Sequence, residues 1–189
     1  MMASLQVCGI DEAGRGCLAG PVVSAAVIID KKKIPPGAKD SKRLTEVKRK
    51  EFYSDILLNA ASYSVGIASN IEIDEMNILN AAMLSMERAF YGLTVKPDIV
   101  IIDGPIIPQN LLKFDKLKVI PVIKADERIK IVSCASIIAK VFRDRLMISL
   151  DNKYPEYGFK NHKGYATKEH KNNLLKYGFS EIHRKTFKF

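Results

Sequence analysis

The sequence predicts an α/β domain in which helices flank a mixed five-stranded sheet and a basic helical region follows at the C-terminal end. Short apolar segments, typical of buried strands, recur along the first two thirds of the chain. Longer segments with apolar residues at helical spacing separate or follow them. The last fifth of the chain holds nine Lys and Arg residues against four Asp and Glu. At 189 residues the chain is expected to fold as one domain, residues 1–189.

Five segments are predicted to be strands. The first two, residues 5–10 and 21–29, are joined by a connection rich in glycine. The second is apolar almost throughout, which indicates burial on both faces, as in a layered α/β domain. Three shorter strands are predicted at residues 63–68, 99–102 and 119–123.

The first two predicted helices cover residues 45–60 and 71–91. Thr45 is suited to be the N-cap of the first helix, because its hydroxyl can accept a hydrogen bond from an early backbone amide. The second helix carries a stripe rich in methionine, which favours core packing over a cofactor site. The stripe consists of Met76, Leu79, Met83, Met86 and Phe90.

A third helix is predicted at about residues 133–150, followed by a tail from residue 152 onward. Within that helix, Lys140 and Asp144 have the spacing of a surface ion pair. The tail is rich in Lys, Tyr and Gly and holds all three histidines, His162, His170 and His183.

The charge of the chain indicates the kind of partner it binds. A net charge of +9 and a pI near 9.4 favour a polyanion, because Lys and Arg replace the counterions condensed on a phosphate backbone. A membrane is not expected as a partner, since the longest apolar segment, around residues 22–29, is too short to span a bilayer. Three cysteines at unrelated spacings suit neither a disulfide framework nor a zinc cluster. Together with the lack of a signal-peptide pattern, this predicts a cytoplasmic protein.

Four acidic residues lie where predicted strands or helices begin or end: Asp11, Glu12, Asp103 and Asp126. Ligand-binding groups collect at the strand ends of α/β sheets, so these carboxylates are candidates for a single site. Converging carboxylates repel one another unless cations intervene, and clusters of oxygen ligands suit Mg²⁺ or Mn²⁺. Two such ions, about 3.5–4 Å apart, stabilise the attacking and the leaving oxygen at phosphorus. If the four acids converge, they form a site of this kind, but their spacing alone does not establish that they do.

Each acid also has a simpler role open to it. Neighbours on a regular strand face opposite sides, so Asp11 and Glu12 share a site only where the strand is ending or distorted. Asp103 precedes Gly-Pro and suits the start of a turn. Asp126 suits the first turn of a helix, where it would act as a cap.

A series of motifs adds to this pattern. Residues 9–16 read Gly-Ile-Asp-Glu-Ala-Gly-Arg-Gly. The motifs that follow are Ala-Gly-Pro-Val-Val at 19–23, Asp-Ser-Lys at 40–42, Glu-Met-Asn-Ile-Leu at 75–79, Ile-Asp-Gly at 102–104, Ala-Ser-Ile-Ile-Ala-Lys-Val at 135–141, Arg-Asp at 143–144, Tyr-Gly-Phe at 157–159, His-Lys-Gly-Tyr at 162–165 and His-Arg at 183–184. In this order they resemble type 2 ribonuclease H, the bacterial ribonuclease HII family, over nearly the whole chain.

The resemblance implies a ribonuclease H-like fold in which the four acids hold metal. It assigns Gly14, Arg15 and Gly16 to reading the RNA–DNA junction, and Tyr165 to packing against the sugar of the following deoxynucleotide. It implies an endonuclease that cleaves RNA in RNA–DNA hybrids and cuts on the 5′ side of single ribonucleotides in duplex DNA. The products would end in 3′-hydroxyl and 5′-phosphate, and the helical region at about 151–189 would bind substrate.

The residue types fit that chemistry. Telling RNA from DNA means sensing the 2′-hydroxyl, and glycines let the main chain approach a sugar closely enough to do so. Arg15 can bind a flanking phosphate with its planar fork of donors. Tyr165 offers a flat apolar face to a deoxyribose. Further phosphate contacts are predicted at Lys42, His162, Lys163 and Arg184.

Two positions depart from the family pattern. Ala125 precedes Asp126 where the family usually has Gly, which weakens the assignment of Asp126 as a ligand. Cys17 stands where Pro is common and is expected to alter loop packing more than chemistry. The related type 3 enzymes usually lack the intact Gly-Arg-Gly motif, so its presence favours type 2.

Two other functions stay open at this point. The same acids could serve a DNA-directed phosphotransferase of the same fold, which cleavage of all-DNA duplex would reveal. A basic nucleic-acid-binding protein without catalysis would bind without metal and yield no products. The expected substrate is an RNA–DNA hybrid or a ribonucleotide-containing duplex, and the expected state of the protein is a monomer.

Overall fold

The computed structural model describes residues 5–38, 41 and 44–188. Its strands are β1 (Val7–Ala13), β2 (Val22–Ile29), β3 (Ala60–Ala68), β4 (Ile99–Asp103) and β5 (Lys118–Val122). Its helices are α1 (Glu46–Asn59), α2 (Asn70–Tyr91), α3 (Ala125–Arg128), α4 (Lys130–Asp151), α5 (Phe159–His162) and α6 (Lys168–Tyr177). Short 3₁₀ turns lie at Lys31–Lys33, Gln109–Lys113 and Pro155–Tyr157.

The strands form one mixed sheet in the order β3-β2-β1-β4-β5. The pairs β1–β2 and β2–β3 are antiparallel, whereas β1–β4 and β4–β5 are parallel. The predicted α/β class with a mixed five-stranded sheet is therefore confirmed. β1 runs three residues further than predicted and carries both Asp11 and Glu12 within the strand.

Both faces of β2 are buried, as its apolar sequence predicts. Ala25 and Val27 belong to a core shared with α4 and α1, while Ala26 and Ile28 belong to a core shared with α2, β1 and β4. Successive strand residues point to opposite faces, so a strand between two helical layers needs apolar residues at every position.

α2 is interrupted at Asn77, whose φ of 70° and ψ of 164° are not helical. The side chain of Asn77 accepts hydrogen bonds from the amides of Leu79 and Asn80, so it caps the second part of the helix. Met86 is buried in the core as the methionine stripe predicts, whereas Leu79, two residues after the interruption, is 38% exposed. No helix in the described ranges is both long and apolar enough to cross a membrane.

The C-terminal region packs against the connection between β1 and β2. The amide of Leu18 donates to the carbonyl of Gly164, and the amide of Arg184 donates to the carbonyl of Leu18, each at 2.8 Å. The amide of Gly20 donates to the carbonyl of Ile182, also at 2.8 Å. The connection between β1 and β2, residues 14–21, is called the glycine-rich loop. Two C-terminal segments, at 163–165 and 182–184, therefore hold this loop between them.

Candidate active site

Asp11 and Asp103 lie at corresponding positions on two neighbouring parallel strands, β1 and β4. The pairing of β1 with β4 ends at Ile10 and Ile102, one residue before each acid. β1 ends three residues beyond that pair, at Ala13, and β4 ends one residue beyond it, at Asp103. The two carboxylates therefore emerge at one edge of the sheet, where α/β domains usually bind their ligands.

The structure brings three of the four predicted acids together. Asp11, Glu12 and Asp103 each offer a carboxylate oxygen, and these oxygens all lie within 4.8 Å of one another. The Asp11 carboxylate accepts a hydrogen bond of 2.7 Å from the amide of Glu12. Arg15 donates to Glu12 at 3.3 Å, and the amide of Ala125 donates to Asp103 at 2.6 Å. The adjacent residues Asp11 and Glu12 thus reach one site close to the C-terminal end of β1.

These carboxylates are crowded and poorly solvated. Burial raises the pKa of Asp11 well above its usual value, and the negative charges of Glu12 and Asp103 raise it further. Burial also raises the pKa of Glu12, although the positive charge of Arg15 opposes that effect. Such a group gains from a bound cation, since the ion removes the repulsion between the charges. Three hard oxygen donors suit Mg²⁺ or Mn²⁺, so the residues present fit a divalent metal.

Asp126 is buried in the first turn of α3. Among the described residues, the group of carboxylates within 4.8 Å of one another does not include it. Its backbone is nevertheless held next to the site, because the preceding residue, Ala125, bonds to Asp103 and Ser133 donates to the Asp126 carbonyl at 2.7 Å. Ala125 itself is fully buried, so the methyl group at this departure from the family pattern is accommodated. The assignment of Asp126 as a metal ligand stays a prediction.

Gly14, Arg15 and Gly16 form a turn in which the carbonyl groups of Gly14 and Arg15 point inward. Arg184 donates from its guanidinium to the carbonyls of Gly14 and Arg15 at 2.7 and 2.8 Å. A trans peptide is planar, with its N–H opposite its C=O, so the amides of Arg15 and Gly16 point away from Arg184. Neither amide donates a hydrogen bond to a described residue. The turn therefore presents two successive N–H groups to whatever binds there.

The two glycines serve different needs. Gly14 has a φ of +98°, and a Cβ at this position would lie 2.0 Å from Nε of Arg143. Gly16 is exposed, and a Cβ there would meet nothing within 4 Å. The fold itself therefore requires glycine at 14, whereas at 16 glycine leaves open space above the loop.

Tyr165 lies beside this loop. It forms an isolated antiparallel bridge with Cys17, the residue directly after Gly16. Its ring is partly exposed and has Nζ of Lys140 at 5.1 Å and Cζ of Arg143 at 5.9 Å from its centre. Lys140 also forms the predicted ion pair with Asp144 at 2.7 Å, although both side chains are largely buried rather than on the surface.

The structure does not support two of the predicted phosphate contacts. Arg184 is 1% exposed and donates to the carbonyls of Gly14, Arg15 and Gly20, so it is a clamp for the loop. His162 is buried, its Nδ1 accepts from the amide of Gly164, and its Nε2 bonds to the carbonyl of Tyr157. Both side chains are buried and bond to backbone groups of the fold, so neither extends from the surface toward a phosphate.

The other two predicted phosphate contacts are Lys163 and Lys42. Lys163 is part-buried, and its ammonium donates to the carbonyls of Lys160 and Asn161. Lys42 lies outside the described residues, as does Asp40 in the same motif.

Sequence reasoning missed Arg143 as a residue that builds the site. Its side chain is fully buried and donates to the carbonyls of Pro21, Ala19 and Lys163. It thereby ties the glycine-rich loop to the segment that precedes Tyr165. A signal existed, since Arg143 lies four residues after Ala139 and four before Met147, on the buried face of α4.

A carboxylate cluster at the ends of two parallel strands, beside a loop with outward amides on a basic chain, defines a metal-dependent enzyme that acts on a phosphate backbone. The comparisons with known proteins identify its family.

The family model for Ribonuclease HII matches residues 8–189. A Ribonuclease HII from Caldicellulosiruptor bescii is 48% identical over 181 residues, which is 96% of this chain and 85% of that protein. Another, from Shewanella loihica, is 50% identical over 180 residues, or 95% and 86% of the two chains.

Solved structures agree with the sequence comparison. The crystal structure of ribonuclease H2 from Pyrococcus horikoshii is similar with a TM-score of 0.79 and 34% identity, over 97% of this chain and 94% of that one. The chain belongs to the ribonuclease HII family. It is a metal-dependent endoribonuclease with ribonuclease H activity on RNA–DNA hybrids. This activity excludes the alternative of a basic nucleic-acid-binding protein without catalysis.

Proposed function

We propose that this ribonuclease H also cuts duplex DNA on the 5′ side of a single embedded ribonucleotide, leaving 3′-hydroxyl and 5′-phosphate ends. The observation that carries the proposal is the outward pair of amides at Arg15 and Gly16, held between the carboxylate cluster and Tyr165. A site that recognises one ribose at its junction with DNA needs both a sensor for the 2′-hydroxyl and a surface that accepts a deoxyribose.

The metal site is proposed to consist of Asp11, Glu12 and Asp103, with Asp126 as a fourth ligand. Two divalent ions bound there would supply an activated water and stabilisation of the leaving 3′-oxygen. The protein's part is to hold the carboxylates in place. The amide of Glu12 orients Asp11, and the amide of Ala125 orients Asp103, so each uses one carboxylate oxygen on the fold.

The 2′-hydroxyl is proposed to bind at the loop of Gly14, Arg15 and Gly16. Its oxygen can accept from an outward amide, and its hydrogen can be donated to a nearby acceptor. Gly16 supports this role, because a side chain there would occupy the open space that a sugar needs. Arg15 is half exposed and bonds to Glu12, so its guanidinium lies between the metal site and any flanking phosphate.

Tyr165 is proposed to contact the sugar of the nucleotide after the ribonucleotide. Its ring is 40% exposed and braced by the cations of Lys140 and Arg143. A flat apolar face packs well against a deoxyribose, whereas a ribose would place a polar hydroxyl against the ring. The C-terminal region, about 151–189, is accordingly proposed to be the substrate-binding part of a single domain.

The proposal is tested with a labelled DNA duplex that contains one ribonucleotide. Purified protein is incubated with it in Mg²⁺ or in Mn²⁺, with an all-DNA duplex and a long RNA–DNA hybrid in parallel. We expect a single cut on the 5′ side of the ribonucleotide, with a 3′-hydroxyl end that a polymerase extends. Cleavage of the hybrid without cleavage of the single-ribonucleotide duplex would contradict the proposal, and cleavage of all-DNA duplex would favour the phosphotransferase alternative.

The role of Asp126 needs a matched pair of variants. Asp126→Asn removes one negative charge while keeping the shape of the side chain, and Glu127→Gln does the same at the exposed neighbour in α3. We expect cleavage to fall by at least about 10²-fold in the first, because a lost ligand weakens metal binding, and to change little in the second. Equal activity of the two variants would remove Asp126 from the proposed ligand set.

A further inference from the structure

Three of the hydrogen bonds in the C-terminal region form one continuous chain through two histidines. The amide of Ser180 donates to Nδ1 of His183 at 2.9 Å. Nε2 of His183 lies 3.0 Å from Nε2 of His170, and Nδ1 of His170 lies 2.9 Å from the carbonyl oxygen of Tyr165. Both imidazoles are buried, at 0% and 1% exposure, and the reaction chemistry does not use them.

The backbone fixes the position of every proton in this chain. A backbone amide can only donate, so Nδ1 of His183 is an acceptor and its Nε2 carries the hydrogen. That N–H donates to Nε2 of His170, which must therefore be unprotonated. The hydrogen of His170 then resides on Nδ1 and donates to the carbonyl of Tyr165. Both rings are neutral, and each has one defined tautomer.

The electrostatics agree with two neutral rings. Burial and, to a lesser extent, the neighbouring His170 lower the pKa of His183 to about 4. Burial likewise lowers the pKa of His170. A proton added to Nε2 of His170 would place two N–H groups against each other at the contact between the rings. A proton added to Nδ1 of His183 would place an N–H group against the amide of Ser180.

The histidine pair connects the two segments that hold the glycine-rich loop. His183 belongs to the segment 182–184, and its backbone forms a bridge with Ala19 in the loop. His170 holds the carbonyl of Tyr165, whose backbone forms a bridge with Cys17 in the same loop. The bond between the two rings is thus a side-chain link across the loop, from the segment that carries Arg184 to the residue proposed to contact the deoxyribose.

We propose that His170 and His183 are positioning residues that set the place of Tyr165 relative to the Gly14–Gly16 loop, and so tune cleavage at an RNA–DNA junction. This inference rests on the proposed function, because it assumes that Tyr165 contacts the sugar after the ribonucleotide. A substrate with deoxyribose at that position depends on Tyr165, whereas a long hybrid has ribose there. Loss of the link is therefore expected to affect the first substrate selectively.

The hydrogen-bond chain is tested directly by NMR of the imidazole nitrogens in the wild-type protein. The chain has only three histidines, so the signals can be assigned by single substitutions. At pH 7 we expect the Nδ1–H tautomer for His170, which is the rarer form in water, and the Nε2–H tautomer for His183. A cationic ring, or an Nε2–H tautomer at His170, would overturn the proposed chain whatever the enzyme cleaves.

The link is tested by two variants that differ by one methylene. His183→Gln places an N–H near the position of Nε2 and can still donate to His170, whereas His183→Asn is too short to reach it. Both lose the ring and its packing, so general destabilisation is common to the two. For the single-ribonucleotide duplex we expect kcat/KM of the Asn variant to be about five- to tenfold below that of the Gln variant, the value of one hydrogen bond. For the hybrid we expect the two variants to agree within about twofold.

The outcomes separate the inference from the proposed function. Equal kcat/KM of the two variants on the single-ribonucleotide duplex, or a parallel loss on both substrates, would overturn the positioning role. The difference between the variants should also vanish when Tyr165→Ala is present, because the link would then have nothing to position; a difference that persists would overturn it too. A wild-type enzyme that cuts only the hybrid would overturn the proposed function and the positioning role, while the NMR result would stand.

Discussion

Arg184 donates a hydrogen bond of 2.7 Å to the carbonyl oxygen of Gly14, across 170 residues of sequence. The same guanidinium donates to the carbonyls of Arg15 and Gly20, and it is almost completely buried. Arg184 thus turns the carbonyls of the loop inward and, by the planarity of the peptide, its amides outward. The C-terminal end of the chain thereby determines the conformation of a loop near its N-terminal end.

Replacing Arg184 is expected to lower both stability and ribonucleotide cleavage. Arg184→Lys keeps the positive charge but offers one ammonium where three carbonyls need donors. With buried acceptors left unpaired, we expect the free energy of unfolding to fall by about 2–4 kcal/mol. Denaturant unfolding measures this, and Lys185→Ala, which removes the exposed charge next to it, is the control. Equal stability of the two variants would mean that the clamp is dispensable.

The two glycines of the loop are expected to separate stability from substrate recognition. Gly14→Ala forces a methyl group against Arg143 at a positive φ and should cost about 2 kcal/mol or more of unfolding free energy. Gly16→Ala meets open space and should change stability by less than about 0.5 kcal/mol.

Cleavage assays then complete the comparison of the glycines. Gly16→Ala should reduce kcat/KM on the single-ribonucleotide duplex about tenfold or more, because its methyl group would occupy the space proposed for the sugar. Unaltered cleavage by a stable Gly16→Ala enzyme would argue against close approach of a sugar at this position.

Some of this architecture could be predicted because it depends on local patterns. The unbroken apolar run of β2 indicates burial on both faces, and Thr45 caps α1 as its position suggests, by accepting from the amide of Lys48. Asp103 could be placed at the edge of the sheet because the apolar run before it ends there. The helix α4 differs, since it begins at Lys130 rather than near Ser133. The hydroxyl of Ser133 donates to the carbonyl of Asp126 in α3, a contact that the local sequence does not indicate.

The parts that could not be predicted depend on contacts between distant residues. Arg184 and His162 look like surface groups in a basic tail, because sequence gives the charge of a side chain but not its burial. Their carbonyl partners lie on irregular segments, which carry no periodic pattern to read. The Gly14–Gly16 loop and Tyr165 were expected to serve one site, but only the fold explains why they are neighbours.

The carboxylate cluster is expected to destabilise the protein when metal is absent. Asp11→Asn removes a buried negative charge that is repelled by the charges of Glu12 and Asp103. The melting temperature measured with a chelator, in the absence of free metal, should therefore rise. The same variant should lose the stabilisation that Mg²⁺ gives to wild type and should cut at least about 10³-fold more slowly. Asp115→Asn, an exposed acid before β5, is the control. A variant that still gains stability from Mg²⁺ would mean that the ion binds elsewhere.

The histidine pair is expected to make the folded state sensitive to mild acid. A histidine in the unfolded chain titrates near pH 6.5, whereas burial lowers the pKa of His183 to about 4 and also lowers that of His170. Between these values the unfolded state binds more protons than the folded state, so stability is fully present above about pH 6.5 and falls as the pH falls.

Comparison with a variant isolates this effect from the other titrating groups. Asp11 and Glu12 have raised pKa values, so their contribution has the opposite sign and decreases stability as pH rises. That contribution is common to wild type and to a variant with His170→Gln and His183→Gln, and it cancels in the difference between them. Urea unfolding from pH 7 to 4.5 should therefore show a larger loss of unfolding free energy in wild type. Parallel pH curves would show that the two rings are as readily protonated in the fold as in water, which the amide of Ser180 facing Nδ1 of His183 argues against.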